Sequence, residues 1–366
     1  MNTNARLSIV FFAAILLLLA SCHVGRFIIW NFADVKDARR FDHVVVHRSG
    51  ETFSFHQTSR QQIPMIPDDF MGQNKSLDEF LVNNKTLALL IIRNDTILFE
   101  RYYPPLGEHD LHPAFSAAKS VVSALVGIAV AEGAIGSVSD PITKYIPEMK
   151  DEGMKGVTID HLLQMRTGFK YNEGYFNPFG NVAKYYYGRN LGKYLPRLKC
   201  EEKPDQDFQY ISAATQLLGV IVERATGKDL EVYLEEKIWK PLGMEGDATW
   251  SIDSRKHSMV KAFCCLNATA RDFARFGRLY LNRGKWQGKE IVPEEWVERS
   301  IKPYTADQNF YSSQWWLLGK GRFAAVGFLG QYIVVDPAKN IVVVRLGRKE
   351  GDVNWSGLLD RILEQY

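Results

Sequence analysis

Two pairs of short apolar runs lie at opposite ends of the sequence, and a polar turn joins the members of each pair. The runs with their turns are 87–92 and 97–100 around 93–95, and 330–335 and 341–346 around 336–340. Short apolar runs separated by asparagine, aspartate or proline predict β-hairpins. The pattern therefore predicts strands at both ends of the domain.

Between the two hairpins, apolar residues recur with the period that is typical of helices. The segments with this period, each ending at or shortly before a glycine, are 116–132, 158–165, 212–225 and 270–281. Strands from the two chain ends can share one antiparallel sheet if the helical middle is an insertion. The sequence thus predicts a mixed α/β (α+β) domain with an inserted all-helical lobe, and a site in the groove beside that lobe.

The first thirty residues are strongly apolar. An uncharged stretch, 7–20, follows Arg6 and suits the apolar region of a secretory signal. Leu-Ala-Ser-Cys at 19–22 resembles a bacterial lipobox, in which Cys22 would be lipidated. Because apolar residues resume at 27–30, an uncleaved membrane anchor is the main alternative, and a released product is the third. All three predict export to the periplasm or the cell exterior, and the first two predict attachment to the membrane through the N-terminus.

Three segments follow from this pattern. Residues 1–30 are expected to be a signal peptide or membrane anchor. Residues 31–80 are polar and irregular, with two prolines near the end, and are expected to be a spacer. Residues 81–366 are expected to form the folded domain.

Composition and charge narrow the possible partners. Hydrophobic residues make up 46% of the chain and charged residues 24%, as in globular proteins. The net charge of +3 comes from 45 basic and 42 acidic residues without a run of five like charges. A nucleic-acid partner is therefore not expected, and the chain is expected to act on small molecules or peptide-like material.

The four cysteines indicate neither a disulfide framework nor a zinc site. The adjacent pair Cys264 and Cys265 is expected to fill space beside a helix, since free cysteine behaves as a small buried hydrophobe. A bridge from Cys200 to one of them is the alternative that the sequence leaves open.

Ser116 and Lys119 form an S-x-x-K pair at the start of a long apolar helix. Positions i and i+3 share one helix face, so the lysine amine can reach the serine hydroxyl. A serine hydroxyl needs an adjacent base, and a desolvated lysine loses enough basicity to serve as one. Ser258 and Lys261 have the same spacing, but they follow a charged stretch and begin no apolar helix. Ser116 is therefore the predicted nucleophile.

A second polar group is needed to carry the proton to the leaving group. Tyr210 fits, because it lies two residues before Ser212, where the next helix begins. Two other tyrosines with a similar local pattern, Tyr280 and Tyr311, lie inside a helix and in a turn-like stretch. Position in the chain favours Tyr210.

Four motifs follow one another in the order found in the serine β-lactamase and penicillin-binding-protein family. They are Ser116-Ala117-Ala118-Lys119, the Thr158 to Gly168 stretch, Phe208-Gln209-Tyr210-Ile211-Ser212 and the Ala270 to Leu279 stretch. The chain resembles this family, which includes class C β-lactamases, D,D-peptidases, family VIII esterases and 6-aminohexanoate-dimer hydrolases.

The resemblance implies a role for each matching residue. Ser116 would be acylated, Lys119 would be the base and Tyr210 would shuttle the proton. Ser212 would hydrogen-bond Lys119 or the substrate. His161 and Asp272 also match the family, and both are interpreted as structural.

The third family motif differs in this chain. Where relatives have Lys-Thr-Gly on the strand beside the site, this chain has Ala325-Val326-Gly327. Gly327 would let substrate lie against the strand, and the Phe328 N–H would be the second oxyanion donor beside that of Ser116. With Ala325 the cation for a substrate carboxylate is lost, unless Arg322 or another cation replaces it.

Gln331 is the last residue that the resemblance singles out. Gly330-Gln331 is similar to the 6-aminohexanoate-dimer hydrolase branch, which makes Gln331 a candidate substrate contact. An ordinary strand-edge glutamine is the alternative.

These observations predict a serine hydrolase acting through an acyl-enzyme on an ester or amide. The alternative is a non-hydrolytic penicillin-binding or acyl-sensing membrane module, but a retained base favours turnover. The motifs G-x-S-x-G, G-x-x-x-x-G-K-[ST] and H-E-x-x-H do not occur. His109 and His112 are too few for a metal site, so neither a metal nor a cofactor is expected.

Overall fold

A computed structural model describes residues 23–30 and 32–366 of the chain. The helices are α1 His23–Trp30, α2 Asp37–Arg40, α3 Asp68–Met71, α4 Leu77–Asn83, α5 Ala118–Ala131, α6 Ile159–Leu163, α7 Asn181–Tyr187, α8 Ser212–Thr226, α9 Leu230–Leu234, α10 Ala270–Leu281, α11 Glu294–Ser300 and α12 Trp355–Leu363. None of these helices combines the length and the apolar character needed to cross a membrane. Cys22, the predicted lipidation site, lies outside the described residues.

The strands come from both ends of the described chain. They are β1 His43–Val46, β2 His56–Gln57, β3 Thr86–Arg93, β4 Thr96–Tyr102, β5 His112–Pro113, β6 Ala248–Ser251, β7 Leu266–Ala268, β8 Lys285–Trp286, β9 Lys289–Glu290, β10 Tyr311–Ser312, β11 Trp315–Gly319, β12 Arg322–Gly327, β13 Gln331–Asp336 and β14 Ile341–Gly347. The main sheet has the order β10-β11-β12-β13-β14-β3-β4-β2, and a smaller sheet has the order β1-β6-β7-β5.

The two predicted hairpins are adjacent in the main sheet. β14 pairs antiparallel with β3, and Val343 lies opposite Ile91. This pairing joins the C-terminal hairpin to the N-terminal one, with the helical segments inserted between them. The prediction of one antiparallel sheet built from both chain ends is confirmed.

The main sheet is covered on both faces. Because successive side chains of a strand point to opposite faces, β3 contributes Leu90 and Ile92 to one core and Leu89 and Ile91 to another. The second core contains α12, including Trp355. The first is larger and contains α5, whose residues 118–129 are all buried. A helix with apolar residues on all sides lies inside the protein, and this one, in which Lys119, Ser120 and Ser123 are the buried polar residues, begins shortly after Ser116.

The described part of the predicted spacer, 32–80, packs against the domain. β1 pairs with β6, and β2 pairs in parallel with β4. Phe41, Val46 and Phe55 are buried in the larger core. Where the sequence predicts an irregular spacer, this stretch thus contains two short strands and buried side chains. The domain boundary at residue 81 stays a prediction.

The cysteines also differ from the expectation. Cys264 and Cys265 are buried, as expected, but they are joined to one another by a disulfide. Cys200 has a free thiol and contacts the Thr167 carbonyl at 3.4 Å. Cys200 therefore forms no disulfide with Cys264 or Cys265, which was the alternative that the sequence left open.

Candidate active site

The turn that carries Ser116 is fixed at its start by the smaller sheet. β5 pairs with β7, and the Ala114 N–H donates to the Leu266 carbonyl at 2.8 Å. Phe115 then has a φ of 46°, a conformation that is strained for a residue with a side chain. A 3-10 turn over Phe115–Ala117 leads into α5. Ser116 is thus held in one position at the entry to a buried helix.

Lys119 lies one helical turn after Ser116 and contacts it directly. Its Nζ is 3.0 Å from Ser116 Oγ and donates to the Phe263 carbonyl at 2.7 Å. Burial disfavours the ammonium form and lowers the pKa of Lys119 to about 8, although the Glu173 carboxylate opposes this shift. A fraction of the amine is therefore neutral near pH 7 and can accept the serine proton.

Tyr210 lies on the other side of the nucleophile. The Lys119 Nζ is 5.1 Å from the centre of the Tyr210 ring. Burial raises the pKa of Tyr210 above its usual range, and a hydrogen bond with Ser116 partly opposes the rise. The phenol therefore keeps its proton at neutral pH. The structure brings Ser116, Lys119 and Tyr210 together, with an amine that can accept a proton and a phenol that can donate one.

Glu173 is a residue of the site that the sequence did not reveal. Its carboxylate accepts hydrogen bonds from the Ser212 N–H at 2.9 Å, from the Ser212 hydroxyl and from the Tyr175 hydroxyl at 3.1 Å. Ser212 was expected to hydrogen-bond either Lys119 or the substrate. In the structure it bonds Glu173 and not Lys119, so the first of these two contacts is not formed. Glu173 lies in an irregular segment and belongs to no recognisable motif. No pattern in the sequence could have placed it here.

The end of β12 forms the wall facing the nucleophile turn. A Cβ on Gly327 would lie 2.1 Å from the Ala114 carbonyl oxygen. The Phe328 ring is 6.0 Å from the Phe115 ring and stacks on Tyr175 at 5.2 Å. The missing side chain of Gly327 thus makes room for the turn that carries Ser116, and not for substrate as the resemblance implies.

Gly327→Ala is expected to disturb this contact. Because the nearest atom is a backbone carbonyl, the turn must move, and we expect a loss of about 1–3 kcal/mol in stability and at least about a tenfold loss in kcat/KM. Gly50→Ala is the matched control, since a Cβ there meets nothing within 4 Å. Thermal melts and ester kinetics on both variants check this. Unchanged kinetics in Gly327→Ala would contradict the role of this contact in holding Ser116.

An apolar cavity opens beside Ser116. Its lining residues are Phe27, Phe32, Ala33, Phe115, Ser116, Tyr175, Phe176, Val182, Ala183, Tyr186, Tyr187, Ser212, Phe263, Cys264 and Phe328. None of these described lining residues is a lysine or an arginine. The cavity therefore suits an uncharged, apolar group.

The position of the missing cation, Ala325, and its candidate replacement, Arg322, are both absent from the cavity lining. Ala325 is fully buried in the larger core. Arg322 forms ion pairs with Asp336, Asp360 and Glu364. Arg322 is therefore already neutralised and does not replace the lysine of the Lys-Thr-Gly motif.

The surroundings of Gln331 favour the alternative of a structural glutamine over the predicted substrate contact. Its side chain is buried and donates to the carbonyls of Phe328 at 3.0 Å and Gly347 at 2.7 Å. Its carbonyl oxygen accepts from the Gly347 N–H at 2.9 Å and lies 3.0 Å from His112 Nε2. These contacts use the whole amide, and the residue holds the loop that contains Phe328.

The second S-x-x-K pair does not form a site. Ser258 is exposed and donates to the Arg255 carbonyl. Lys261 is buried, donates to the Tyr186 carbonyl at 2.6 Å and lies over the Phe41 ring. No helix begins at Ser258, as the sequence indicated, so the Ser258 and Lys261 side chains are not brought together on one helix face and bond different partners.

His109 and His112 lie in different environments. His112 is buried, and burial lowers its pKa to about 4, so it is neutral. His109 lies at the surface beside Glu108 and Glu245. The potential ligand atoms of these three side chains are close enough to one another to hold a cation. Arg271 forms ion pairs with both carboxylates of this cluster. The group is thus an ion-pair network of the domain.

The sequence pattern of the Beta-lactamase family matches residues 79–365, which is most of the chain. The chain belongs to the beta-lactamase family. Within this family, the 6-aminohexanoate-dimer hydrolase of Paenarthrobacter ureafaciens is 30% identical over 296 residues, covering 73% of this chain and 74% of the relative. The N-acetylmuramyl-L-alanine amidase of Bacillus subtilis is 21% identical over 275 residues, covering 58% of this chain and 62% of the relative.

Solved structures show the same relationship. A candidate 6-aminohexanoate-dimer hydrolase from Bacillus anthracis has a TM-score of 0.81 and 26% identity, with 93% of each chain covered. A class C beta-lactamase mutant has a TM-score of 0.62 and 15% identity, with 82% of this chain and 96% of that chain covered, and shows the shared fold. The beta-lactamase-family member described here is thus a serine hydrolase with the predicted fold.

Proposed function

We propose that this serine hydrolase cleaves uncharged esters or amides through an acyl-enzyme on Ser116. The observation that carries the proposal is the 3.0 Å contact between Ser116 Oγ and the buried Lys119 Nζ, beside an apolar cavity. An amide or ester substrate agrees with the 6-aminohexanoate-dimer hydrolase relative. No metal or cofactor is needed for this chemistry, because the proton carriers are side chains.

Acylation uses the three residues in turn. Neutral Lys119 accepts the hydroxyl proton while Ser116 Oγ bonds to the substrate carbonyl carbon. The N–H groups of Ser116 and Phe328 stabilise the oxyanion. Tyr210 gives its proton to the leaving oxygen or nitrogen as that bond breaks, and it recovers a proton from the Lys119 ammonium. The products of this half-reaction are the acyl-enzyme and a free alcohol or amine.

Deacylation reverses the roles with water as the nucleophile. Water gives a proton to the neutral Lys119 as its oxygen bonds to the acyl carbon. Ser116 Oγ then leaves with a proton that returns through Tyr210 from Lys119. The acid is released and the enzyme is restored, so no further reactant is required.

Short neutral esters are expected to have a kcat/KM at least about ten- to a hundredfold above that of penicillins and cephalosporins. The reason is that a charge-assisted bond to the missing cation contributes roughly 1.5–3 kcal/mol in a site that has one. A panel of nitrocefin, short p-nitrophenyl esters and linear amides measures this. Efficient penicillin hydrolysis with little ester turnover would contradict the proposed preference.

The same panel tests the non-hydrolytic alternative. A penicillin-binding or acyl-sensing module would release one equivalent of p-nitrophenol per chain and then stop. Steady turnover that continues beyond one equivalent would exclude it. The retained base favours turnover.

We also propose that the chain is exported and attached to a membrane through its N-terminus. The apolar stretch 7–20 and the Leu-Ala-Ser-Cys sequence ending at Cys22 support this. Mass spectrometry of the mature N-terminus separates a lipidated Cys22 from an uncleaved anchor and from a released product.

A further inference from the structure

The N-terminal helix α1 forms part of the wall of the active-site cavity. Phe27, Phe32 and Ala33 line the same cavity as Ser116. The Phe27 ring packs edge-on against Tyr187 at 5.5 Å and against Phe32 at 5.3 Å. The segment that directly follows the predicted membrane attachment is therefore built into the site.

The outer side of this wall is apolar and exposed. Ile28, Ile29, Phe32 and Phe176 have exposed fractions of 63%, 52%, 39% and 75%. The Phe32 and Phe176 rings are in contact at 5.3 Å, so the segment that follows α1 and the loop that carries Phe176 form one surface. We call these four residues the mouth patch. Phe32 and Phe176 line the active-site cavity, and Ile28 and Ile29 lie three to four positions before Phe32 in the chain. Single exposed apolar residues are ordinary, but a group of them beside a cavity marks an interaction surface.

The sequence before α1 indicates what covers the mouth patch. The uncharged stretch 7–20 ends three residues before His23, where α1 begins. Ile28 follows His23 by five residues, which is about 8 Å of helix. Whether the chain is attached by a lipid on Cys22 or by the apolar stretch itself, the mouth patch must lie near the bilayer surface. Exposed isoleucine and phenylalanine suit the boundary between headgroups and acyl chains.

The lining of the active-site cavity indicates which kind of substrate enters it from the mouth patch. Apart from Ser116 and Ser212, its described lining is aromatic, aliphatic or part of the disulfide. Glu173 hydrogen-bonds Ser212 beside it, which disfavours an anionic substrate. The cavity therefore suits an apolar acyl chain attached to the carbonyl that Ser116 attacks.

We propose that the mouth patch rests on the bilayer and that the cavity receives the apolar acyl chain of a membrane-borne ester or amide. This inference rests on the proposed function and specifies its substrate class. Each methylene that enters the cavity should raise kcat/KM roughly threefold to fourfold until the cavity is filled.

The test uses the full-length chain reconstituted in phosphatidylcholine vesicles. Rates are measured with p-nitrophenyl esters from acetate to octanoate and with a fluorogenic long-chain ester embedded in the same vesicles. We expect kcat/KM to rise by at least about tenfold from acetate to octanoate. We expect the double variant Ile28→Ser, Ile29→Ser to lose at least about tenfold on the embedded ester and to keep its acetate activity, because neither residue lines the cavity.

The matched control is Ile63→Ser, Met65→Ser. These residues are similarly exposed, at 62% and 73%, and Met65 lies beside the C-terminal residues through two hydrogen bonds with Gln365. This control should leave both activities unchanged. A flat chain-length profile, or an Ile28 and Ile29 double variant as active as the wild type on the embedded ester, would overturn the inference while leaving the hydrolase assignment intact. Absence of ester turnover at every chain length would instead overturn the proposed function.

Discussion

Replacing Ser116 with alanine is expected to lower kcat/KM for short esters by at least about 10⁴-fold, because the substitution removes the atom that forms the acyl-enzyme. Binding should change little, since the apolar lining of the cavity remains. Covalent labelling by a fluorophosphonate should disappear, because that reagent forms its bond with the activated serine oxygen. Initial rates and intact-protein mass spectrometry measure both effects.

Ser258→Ala is the matched control for this variant. It removes a hydroxyl from the other S-x-x-K pair, but Ser258 is exposed and bonds only locally to the Arg255 carbonyl. Turnover and labelling should match the wild type. Persistent labelling of Ser116→Ala would show that a different nucleophile reacts, and the site would have to be reassigned.

The sequence carried enough information to predict the sheet because that part of the fold is local and strongly patterned. β3 and β14 are short apolar runs next to turn residues, and each pattern alone predicts a hairpin. Their antiparallel pairing, with Val343 opposite Ile91, followed from the helical insertion between the two chain ends. The position of Ser116 and Lys119 on one helix face was likewise a consequence of spacing alone.

Contacts made across long sequence separations could not be predicted in the same way. Phe41 and Phe55 occur singly in polar stretches, and only the folded domain shows that they are buried. Glu173 reaches Ser212 from a loop 39 residues earlier, so no spacing rule relates the two. Gln331 is a candidate substrate contact only through its similarity to one branch of the family, and its backbone partners at Phe328 and Gly347 depend on the path of a loop that no pattern predicts.

The buried environment of Lys119 also required the structure. An S-x-x-K spacing gives contact with the serine but does not give the lysine a lowered pKa. That shift comes from burial of the amine, which disfavours its charged form, while the Glu173 carboxylate acts in the opposite direction. The structure therefore predicts how the activity depends on pH, which the sequence alone does not.

Activity is expected to rise with pH through a midpoint near 8 and then level off. The base is the neutral amine of Lys119, whose pKa is lowered to about 8 by burial, so only about one tenth of the enzyme carries the free base at pH 7. Tyr210 keeps its proton throughout this range, because burial raises its pKa. Lys119→Met should lower kcat/KM by about 10²–10⁴-fold and abolish the rise, since the base itself is removed.

Glu173→Gln provides the sharpest test of this assignment. The Glu173 carboxylate raises the pKa of Lys119 by stabilising the ammonium, so its neutral replacement should move the midpoint of the pH profile to lower pH. Glutamine keeps an acceptor for Ser212, so the loop should remain in place. The measurement is kcat/KM for p-nitrophenyl acetate between pH 5.5 and 9.5, corrected for spontaneous hydrolysis. A midpoint that stays fixed in Glu173→Gln, or a wild-type profile without a rise near pH 8, would show that Lys119 is not the group that accepts the serine proton.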